Sequence, residues 1–437
     1  MTTLEQLDRT ILLCRDYVAD ALTDAEICCG FQSLHVLCVS DLHNVSSHSG
    51  QTALVTLVSL LSRMGMQVGL AIPDVAMAGL QPPISGESLL QALLASSEAL
   101  VTGAVVRSDS DFRPDLIFVL GDTKMKSSNI PCWRLSGTDW FGTLAREGTA
   151  MNRAWTSEWP IGAMVSAAFG ANEAFKFVIR RLRLRDQTTE VFFEPSHFCS
   201  WDFGSISVPQ DGIDLGQVDM ISAGAISQAA LYTLLRIPKI EMRGRIFDDD
   251  LTAGSNLNRN MLSLVTDVGL PKVGLVRQRC SRSIQFQPVE RRFAKESFDG
   301  ELAQRVLVGV DDIPSRWEVQ RRSPGWVAVS ATSHFNVSSS AHTSDQACSG
   351  CLHPVDDAAG AIPIPTVSFV SFWAGLAMAV RLVREALGNS YSLDRQHLWL
   401  TPLRMDERHA AMWLPVAARL DCPVPCLASG AILRRVG

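Results

Sequence analysis

Residues 218–248 read VDMISAGAISQAALYTLLRIPKIEMRGRIFD and decide the fold class of the chain. An apolar run over residues 218–224 ends in a small polar turn. A helix-forming stretch covers residues 225–235, and a second apolar run ends at Asp248. This pattern predicts a strand, a helix and a second strand, and such alternation is typical of a parallel sheet covered by helices.

The first half of the chain contains the same order of elements. Residues 34–41 (LHVLCVSD) form an apolar run with an acidic end, residues 50–63 have a helical pattern, and residues 66–73 (MQVGLAIP) form the next apolar run. Two further pairs of segments correspond, a buried strand with an acidic end and a long apolar helix with a basic last turn. They are residues 115–122 and 304–312, and residues 161–182 and 366–387. We therefore predict an α/β protein of two doubly wound, Rossmann-like halves related by an internal repeat.

Length and composition agree with two soluble domains. The chain has 437 residues, which favours two domains of about 200 residues each. We predict halves at residues 1–190 and 191–437, the alternative being two unrelated α/β domains.

A net charge of −6 without a lysine-rich run gives no support to a nucleic-acid partner. Residues 361–380 lack charge but contain two prolines, which favours a buried core helix over a membrane span.

The N-terminus and the cysteines bear on the compartment. Residues 1–8 are polar and acidic, unlike a secretory signal. Eleven cysteines in such a chain are expected to be reduced thiols or metal ligands, which predicts a cytoplasmic protein.

Residues 222–227 (SAGAIS) occupy the position of a glycine-rich phosphate turn, after a strand and at the start of a helix. Gly224 is the only one of the three usual glycines. Its backbone can approach a phosphate, which the helix N-terminus then stabilises. Ser222 and Ser227 replace the other two glycines. Asp248, after the next strand, suits a carboxylate that bonds both ribose hydroxyls.

Residues 248–260 read DDDLTAGSNLNRN and resemble, without a gap, the DxDxVxxSNLxRQ signature of the ubiquitin-activating (ThiF/MoeB-like) adenylyltransferase family. Residues 267–272 (DVGLPK) and 310–316 (VDDIPSR) are similar to two further elements of that family, DxGxPK and DxDNxxxR. The resemblance covers residues 215–430 well, and the first half only as a degenerate partner domain.

The resemblance implies an enzyme that uses ATP to adenylate the C-terminal carboxylate of a ubiquitin-like protein. The implied catalytic residues are Arg259 and Lys272, which contact the phosphates, and Asp311, which holds Mg²⁺. The implied nucleotide-binding residues are Gly224, Asp248, Asp250 and Asn256. Cations suit such a site because negative charge accumulates at the phosphates during the reaction. For each residue alone, an exposed acidic turn or a solvated helix face is the alternative interpretation.

Four departures from the family pattern matter for ATP use. Ser222 and Ser227 stand where glycine is usual, and either side chain could narrow the phosphate turn. Asn260 replaces a glutamine, and Asp312 replaces an asparagine. The charged groups of the signature are all retained.

Two close cysteine pairs lie in separate segments of the second half, Cys348 with Cys351 and Cys422 with Cys426. Short-spaced pairs of this kind suit a tetrahedral Cys₄ zinc site. The second pair is one residue wider than the usual CxxC. A pair of buried thiols and a redox CxxC are the alternatives.

A separate cysteine for a thioester with the carrier protein is not evident. If the four late cysteines bind zinc, the remaining candidates are Cys132, Cys199 and Cys280, each of which is also a reasonable buried hydrophobe. Alternatively, Cys348 or Cys351 is the nucleophile and no zinc binds.

The first half resembles an inactive copy. Residues 41–50 (DLHNVSSHSG) lack the phosphate glycines, and no SNLxRQ element follows residues 66–73. Members of this family act as dimers or pseudo-dimers in which the partner copy sends an arginine from its N-terminal helix, and Arg9 and Arg15 are the candidates. A monomeric pseudo-dimer and a homodimer both remain open.

An inactive copy followed by an active one is similar to the activating component of bacterial antiphage ubiquitin-like conjugation systems of the Bil type. The implied partners are a ubiquitin-like protein that ends in glycine and a separate conjugating enzyme. A sulfur-carrier adenylyltransferase and a non-catalytic scaffold for a ubiquitin-like protein are the alternative functions.

Overall fold

The computed structural model describes residues 2–126, 129–149, 154–204, 206–294, 298–322, 324–355, 364–407, 409–424 and 426. Seven strands form the first sheet, in the order β3-β2-β1-β4-β5-β6-β7. Strands β1 to β5 are parallel, whereas β6 and β7 join in antiparallel fashion. The strands are β1 (His35–Val39), β2 (Gln67–Ala71), β3 (Val105–Arg107), β4 (Leu116–Leu120), β5 (Cys132–Thr138), β6 (Phe141–Arg146) and β7 (Phe198–Asp202).

Eight strands form the second sheet, in the order β10-β9-β8-β11-β12-β13-β14-β15. Its first five strands in chain order are parallel and its last three antiparallel. The strands are β8 (Ile213–Ile221), β9 (Ile240–Phe247), β10 (Ile284–Val289), β11 (Arg305–Val308), β12 (Trp326–Ser333), β13 (Asn336–Thr343), β14 (His397–Leu400) and β15 (Ala411–Leu414). The first seven strands repeat the order of the first sheet. This confirms the predicted mixed α/β class with two mainly parallel sheets and favours the internal repeat over two unrelated domains.

Fourteen α-helices lie within the described residues. They are α1 (Thr3–Gln6), α2 (Asp8–Arg15), α3 (Asp24–Gln32), α4 (Leu42–Val45), α5 (His48–Arg63), α6 (Leu89–Ala95), α7 (Ser97–Leu100), α8 (Ile161–Arg181), α9 (Gln187–Phe192), α10 (Ala225–Leu234), α11 (Lys272–Arg279), α12 (Ile313–Arg321), α13 (Ser349–Leu352) and α14 (Ser368–Ala386). Side chains at the preceding residue cap several of them. Asp41, Ser47 and Asp312, for example, accept bonds from the first turns of α4, α5 and α12.

The apolar stretch at residues 361–380 contributes to α14, which is buried from Ser368 to Arg384. The predicted core helix is therefore confirmed from residue 368 onward, and residues 361–363 lie outside the described residues. Among the described parts of the chain, no helix combines the length and apolar character that a bilayer span requires.

The two halves pack through the helices that follow their strands, α5 and α8 from the first half and α10 and α14 from the second. The Thr56 and Tyr232 hydroxyls lie 3.0 Å apart between α5 and α10. The rings of Phe169 on α8 and Trp373 on α14 have centroids 5.2 Å apart. One continuous apolar cluster contains buried residues of both halves.

Hydrogen bonds across this junction run in both directions. Asn172 on α8 donates to the Pro402 carbonyl beyond β14, at 2.8 Å. In return Arg384 on α14 donates to the carbonyl of Gly204 beyond β7, at 2.6 Å. The domain boundary at residues 190 and 191 stays a prediction; β7, the last strand of the first sheet, follows it in the chain.

Candidate active site

The turn between β8 and α10 contains a serine in a backbone conformation that glycine usually takes. Ser222 has a φ of +95°, a left-handed conformation that glycine usually takes and that costs a side-chain-bearing residue about 1–3 kcal/mol. Its hydroxyl accepts a bond from the Gly224 N–H at 2.9 Å and donates to Asp248 at 3.4 Å. These bonds offset part of the strain, so the serine keeps the turn in a glycine-like shape.

Ser227 points away from the turn and into the packing between α10 and β11. Its hydroxyl oxygen is buried without a hydrogen-bond partner among the described residues. A Cβ atom on Gly309, the residue after β11, would lie 2.5 Å from that oxygen. The third glycine of such a turn normally permits close packing of helix and strand. Here Gly309 provides that space, and Ser227 fills it.

Asp248 joins the end of β9 to the turn that follows β8. Its carboxylate accepts the Ala223 N–H at 2.7 Å and the Asp250 N–H at 2.9 Å. A carboxylate has about four acceptor sites, so these two bonds and the longer one from Ser222 leave about one site, on Oδ1, for a ribose hydroxyl. The predicted sugar-binding acid and the predicted phosphate turn are therefore in direct contact.

Lys272 is the first residue of α11 and pairs with the acidic turn after β9. Its ammonium nitrogen lies 2.5 Å from a carboxylate oxygen of Asp250. The lysine side chain is 9% exposed, whereas that of Asp250 is 67% exposed. The backbone N–H of Lys272 also donates to the Asp250 carbonyl at 3.1 Å. The cation is thus fixed beside the strand ends, with its counter-ion open to solvent.

Arg259 is partly buried close to the N-terminal helices of the first half. It donates to the Ser255 carbonyl at 2.5 Å and to the Asn258 side chain at 2.8 Å. Desolvation lowers the pKa of Arg259 to about 10, and the positive charge of Arg9 acts in the same direction. Asp8 and Asp311 oppose this shift. The guanidinium therefore remains charged at neutral pH and senses both Arg9 and Asp311.

The two candidate arginines of the N-terminal helix differ in their surroundings. Arg9 lies within electrostatic range of Arg259 and donates to the Ile364 carbonyl at 3.3 Å. Arg15 instead bonds Asp24 in its own half, at 2.9 Å. Of the two, only Arg9 reaches the vicinity of the predicted nucleotide site.

The remaining predicted residues lie at neighbouring strand ends. Asp311 follows β11 and is exposed, while Asp312 caps α12 by accepting the Ser315 N–H at 2.8 Å. Asn256 uses its side-chain oxygen to accept the Ala253 N–H at 2.9 Å. Carboxylate oxygens of residues 248–250 lie within 4.8 Å of one another and could also hold a cation. Asp311 as the magnesium ligand stays a prediction.

One buried residue that the motif comparison missed connects the parts of the site. Gln228, on the first turn of α10, donates to the Ala223 carbonyl at 2.9 Å. Its oxygen accepts from the Leu262 N–H at 3.2 Å and from the Ser263 hydroxyl at 3.1 Å. Gln228 thus ties the phosphate turn to the segment that carries Arg259. A lone glutamine in an apolar helix gave no signal of this role.

The corresponding place in the first half is filled by Asn44. This fully buried side chain donates to the carboxylates of Asp41 and Asp122, both at 2.9 Å, and accepts the Trp155 N–H at 3.0 Å. A Cβ atom on Gly121, the residue after β4, would lie 1.8 Å from the Asn44 side-chain oxygen. A polar network therefore occupies the space beyond the first strand, where the second half has its turn.

The four late cysteines form a compact cluster. The sulfur of Cys348 lies 3.5 Å from that of Cys422 and 4.0 Å from that of Cys351, which in turn lies 3.7 Å from Cys426. A tetrahedral site with Zn–S bonds of about 2.3 Å places its sulfurs about 3.8 Å apart. The sulfur geometry is therefore compatible with a structural zinc ion, which would tie the C-terminal segment to α13.

The cluster also contacts the helix that follows Asp311. Arg321 on α12 donates to the Pro423 carbonyl at 3.0 Å, and the Ser349 hydroxyl bonds the Arg316 carbonyl at 3.4 Å. A metal at this position would stabilise α12 and supply no chemistry of its own.

The candidate thioester cysteines outside the cluster are poor nucleophiles in this structure. Burial raises the pKa of Cys132, Cys199 and Cys280 to about 12 in each case. The thiolate is the reactive form, so little of it would be present at neutral pH.

Comparison with known proteins adds one family match. Residues 33–188, about a third of the chain, match the family of BilD N-terminal domains. This match supports the Bil-type resemblance, and it lies in the half whose turn is filled by Asn44.

Individual relatives are distant. The uncharacterized protein y4jF of Sinorhizobium fredii is 26% identical over 208 residues, which cover 44% of this chain and 38% of that protein. The chain thus spans well under half the length of this relative. The structure of E. coli MccB with succinimide is 14% identical, with 48% of this chain and 66% of that chain covered and a TM-score of 0.40. The structure of PaaA is 14% identical, with 46% of this chain and 73% of that chain covered and a TM-score of 0.37.

Proposed function

We propose that the chain is an ATP-dependent activating enzyme that adenylates the C-terminal carboxylate of a ubiquitin-like protein. The second half would carry the reaction, and the first half would be its inactive partner in a pseudo-dimer. The observation that carries the proposal is the direct bond between Asp248 and the turn before α10, with Lys272 and Arg259 held nearby.

The chemistry requires cations more than proton transfer. A carboxylate oxygen of the carrier protein forms a bond to the α-phosphorus of ATP, and the bond from that phosphorus to the bridging oxygen breaks. Pyrophosphate leaves with the electron pair, and no proton is transferred. Lys272 and Arg259 would stabilise the charge that develops on the phosphates, with Arg9 contributing from the first half. Asp311 would hold Mg²⁺, which would supply further positive charge to the phosphates.

The proposed partners follow from the resemblance and the family match. The BilD match in the first half supports a ubiquitin-like protein as the partner. A free C-terminal glycine on that protein and a separate conjugating enzyme belong to the proposal through the sequence resemblance alone. A role in bacterial antiphage defence and a cytoplasmic location belong to the same proposal. The zinc ion would be structural, bound by the four clustered cysteines.

A sulfur-carrier adenylyltransferase is the second candidate. The high pKa of the Cys132, Cys199 and Cys280 thiols favours it, because carrier adenylation alone needs no enzyme thiolate. The two candidates share the first step and differ in the second.

The test is ATP–pyrophosphate exchange with a ubiquitin-like protein that ends in a free glycine. Wild-type protein should exchange, and Asp311→Ala and Lys272→Ala should not. A carrier adduct that dithiothreitol releases would then support conjugation, whereas carrier adenylate without an adduct would support the sulfur-carrier alternative. Failure of folded, zinc-loaded protein to exchange would contradict the enzyme proposal and favour a scaffold that binds the ubiquitin-like protein.

A further inference from the structure

Arg63, the last residue of α5, belongs to the first half but binds backbone of the second. It is fully buried, and its two terminal nitrogens donate to three carbonyl groups. The acceptors are Leu257 at 2.6 Å, Met261 at 3.0 Å and Ser263 at 2.8 Å. All three lie in the segment 257–263, which contains Arg259.

This segment lies outside the strands and α-helices, and turn-type backbone bonds, such as that from the Asn260 N–H to the Asn256 carbonyl at 2.8 Å, hold it only in part. Buried carbonyl groups without such partners need other donors. Within the second half, Gln228 accepts from the Leu262 N–H and the Ser263 hydroxyl, and Arg279 donates to the Leu262 carbonyl at 3.3 Å. Arg63 adds donors from the first half to three further carbonyls. Because guanidinium presents several donors in a rigid plane, one side chain fixes three points of an irregular segment.

A matching contact runs in the opposite direction. Arg236, just after α10, is equally buried and donates to the Pro82 carbonyl of the first half at 2.9 Å. Its own carbonyl lies 2.6 Å from the His48 ring. In each half, therefore, the helix after the first strand sends an arginine to the loop after the second strand of the other half. Arg63 contacts the loop of the predicted active site. Arg236 contacts a loop of the first half, where Asn44 fills the turn after the first strand.

We propose that Arg63 is a positioning residue for adenylation, which fixes residues 257–263 so that Arg259 faces the phosphates. The inference rests on the proposed function. It assigns the first half a second contribution besides Arg9: its core, and not only its N-terminal helix, shapes the nucleotide site. Arg63 does not itself reach a reacting atom.

Hydrogen exchange tests the anchoring without any activity. Arg63→Met should accelerate amide exchange in residues 256–263 by about tenfold or more and leave residues 78–84 unchanged. Arg236→Met, a change of the same kind at the same burial, should give the opposite pattern. Equal exchange of residues 256–263 in Arg63→Met and wild type would overturn the proposal.

Kinetics test the positioning role. Arg63→Met should lower the maximal rate of ATP–pyrophosphate exchange about tenfold or more, whereas Arg236→Met should stay within about twofold of wild type. The maximal rate of Arg63→Lys should lie between those of wild type and Arg63→Met, because one ammonium group cannot donate to all three carbonyls. This variant also allows the test if Arg63→Met does not fold.

The outcomes separate the two proposals. If Arg63→Met and Arg236→Met lose equal ATP–pyrophosphate exchange activity at equal thermal stability, Arg63 has a structural role only. An Arg63→Met protein as active as wild type would also overturn the positioning role. A wild-type protein without ATP–pyrophosphate exchange activity would refute the adenylation proposal and the positioning role with it. Amide hydrogen exchange would still decide whether Arg63 holds residues 257–263.

Discussion

The first and second halves share an order of seven strands and differ at the turn after the first strand. Both place a glutamine at the fourth residue of the following helix, Gln51 in α5 and Gln228 in α10, and both glutamines bond the loop after the second strand. In the second half Gly224 and Asp248 lie at this turn, and in the first half the Asn44 side chain lies there. Under the proposed function, a satisfied polar network would fill the site of one half while the scaffold around it is kept.

Substitutions in the cysteine cluster, which belongs to the second half alone, should have the largest effects on metal content and thermal stability. Cys351→Ser should reduce bound zinc from about one ion per chain to almost none and lower the unfolding midpoint by about 5–10 °C. Metal analysis and calorimetry measure these effects. Cys29→Ser, a change at an exposed cysteine of the first half, is the control and should alter neither quantity. Zinc retained at full occupancy in Cys351→Ser would contradict the assignment.

Acids that follow the fourth strand of each sheet should differ sharply in function. Asp311→Asn should lower ATP–pyrophosphate exchange by about 100-fold, because the proposed magnesium ligand would lose its charge. Asp122→Asn in the first half should leave exchange within about twofold of wild type, since that carboxylate bonds Asn44. Comparable losses in both variants would mean that the two halves are both active.

The filled turn should matter for stability and not for activity. Asn44→Ala removes the donor to Asp41 and Asp122 and the acceptor of the Trp155 N–H, so it should lower the free energy of unfolding by about 2–3 kcal/mol in urea titration. Exchange activity should be unchanged. His43→Ala, an exposed neighbour in the same helix, should change neither. Gain of a second nucleotide site in Asn44→Ala would show that the network only masks a functional turn.

The smallest effect should be the coupling of Ser227 and Gly309. Gly309→Ala should lower the free energy of unfolding by about 1–3 kcal/mol, because the new methyl group would lie 2.5 Å from the Ser227 oxygen. In a Ser227→Gly background the same change should cost less by about 1 kcal/mol. Thermal unfolding of the four proteins measures the coupling, and additive losses would show that the serine is not compensated by the glycine.

Much of the scaffold could be predicted from the sequence. The apolar runs at residues 34–41, 66–73 and 115–122 became β1, β2 and β4, and the repeat of these elements appears as a repeated strand order. The spacing of the cysteine pairs also predicted a cluster that the structure contains. These features depend on local periodicity and short motifs, which a sequence displays directly.

The fit of the serines and the contacts between the halves could not be predicted in this way. The motif comparison suggested that Ser222 and Ser227 could narrow the turn, but Ser222 adopts a positive φ and Ser227 packs against Gly309. Arg63 lies far in sequence from the carbonyls it binds, and no motif marks it. Such features depend on side-chain placement across the fold. The catalytic roles of Arg259, Lys272 and Asp311 stay predictions that the exchange assay decides.

The single core shared by the two halves has an evolutionary consequence. In a homodimer of identical subunits every substitution occurs twice and must suit both copies, as symmetry requires. When both copies lie in one chain, a residue such as Asn44 stands in one copy alone, while the buried contacts of Arg63 join the two halves. Under the proposed function, covalent fusion would allow one copy to lose its substrate site and to be retained by selection for its support of the other.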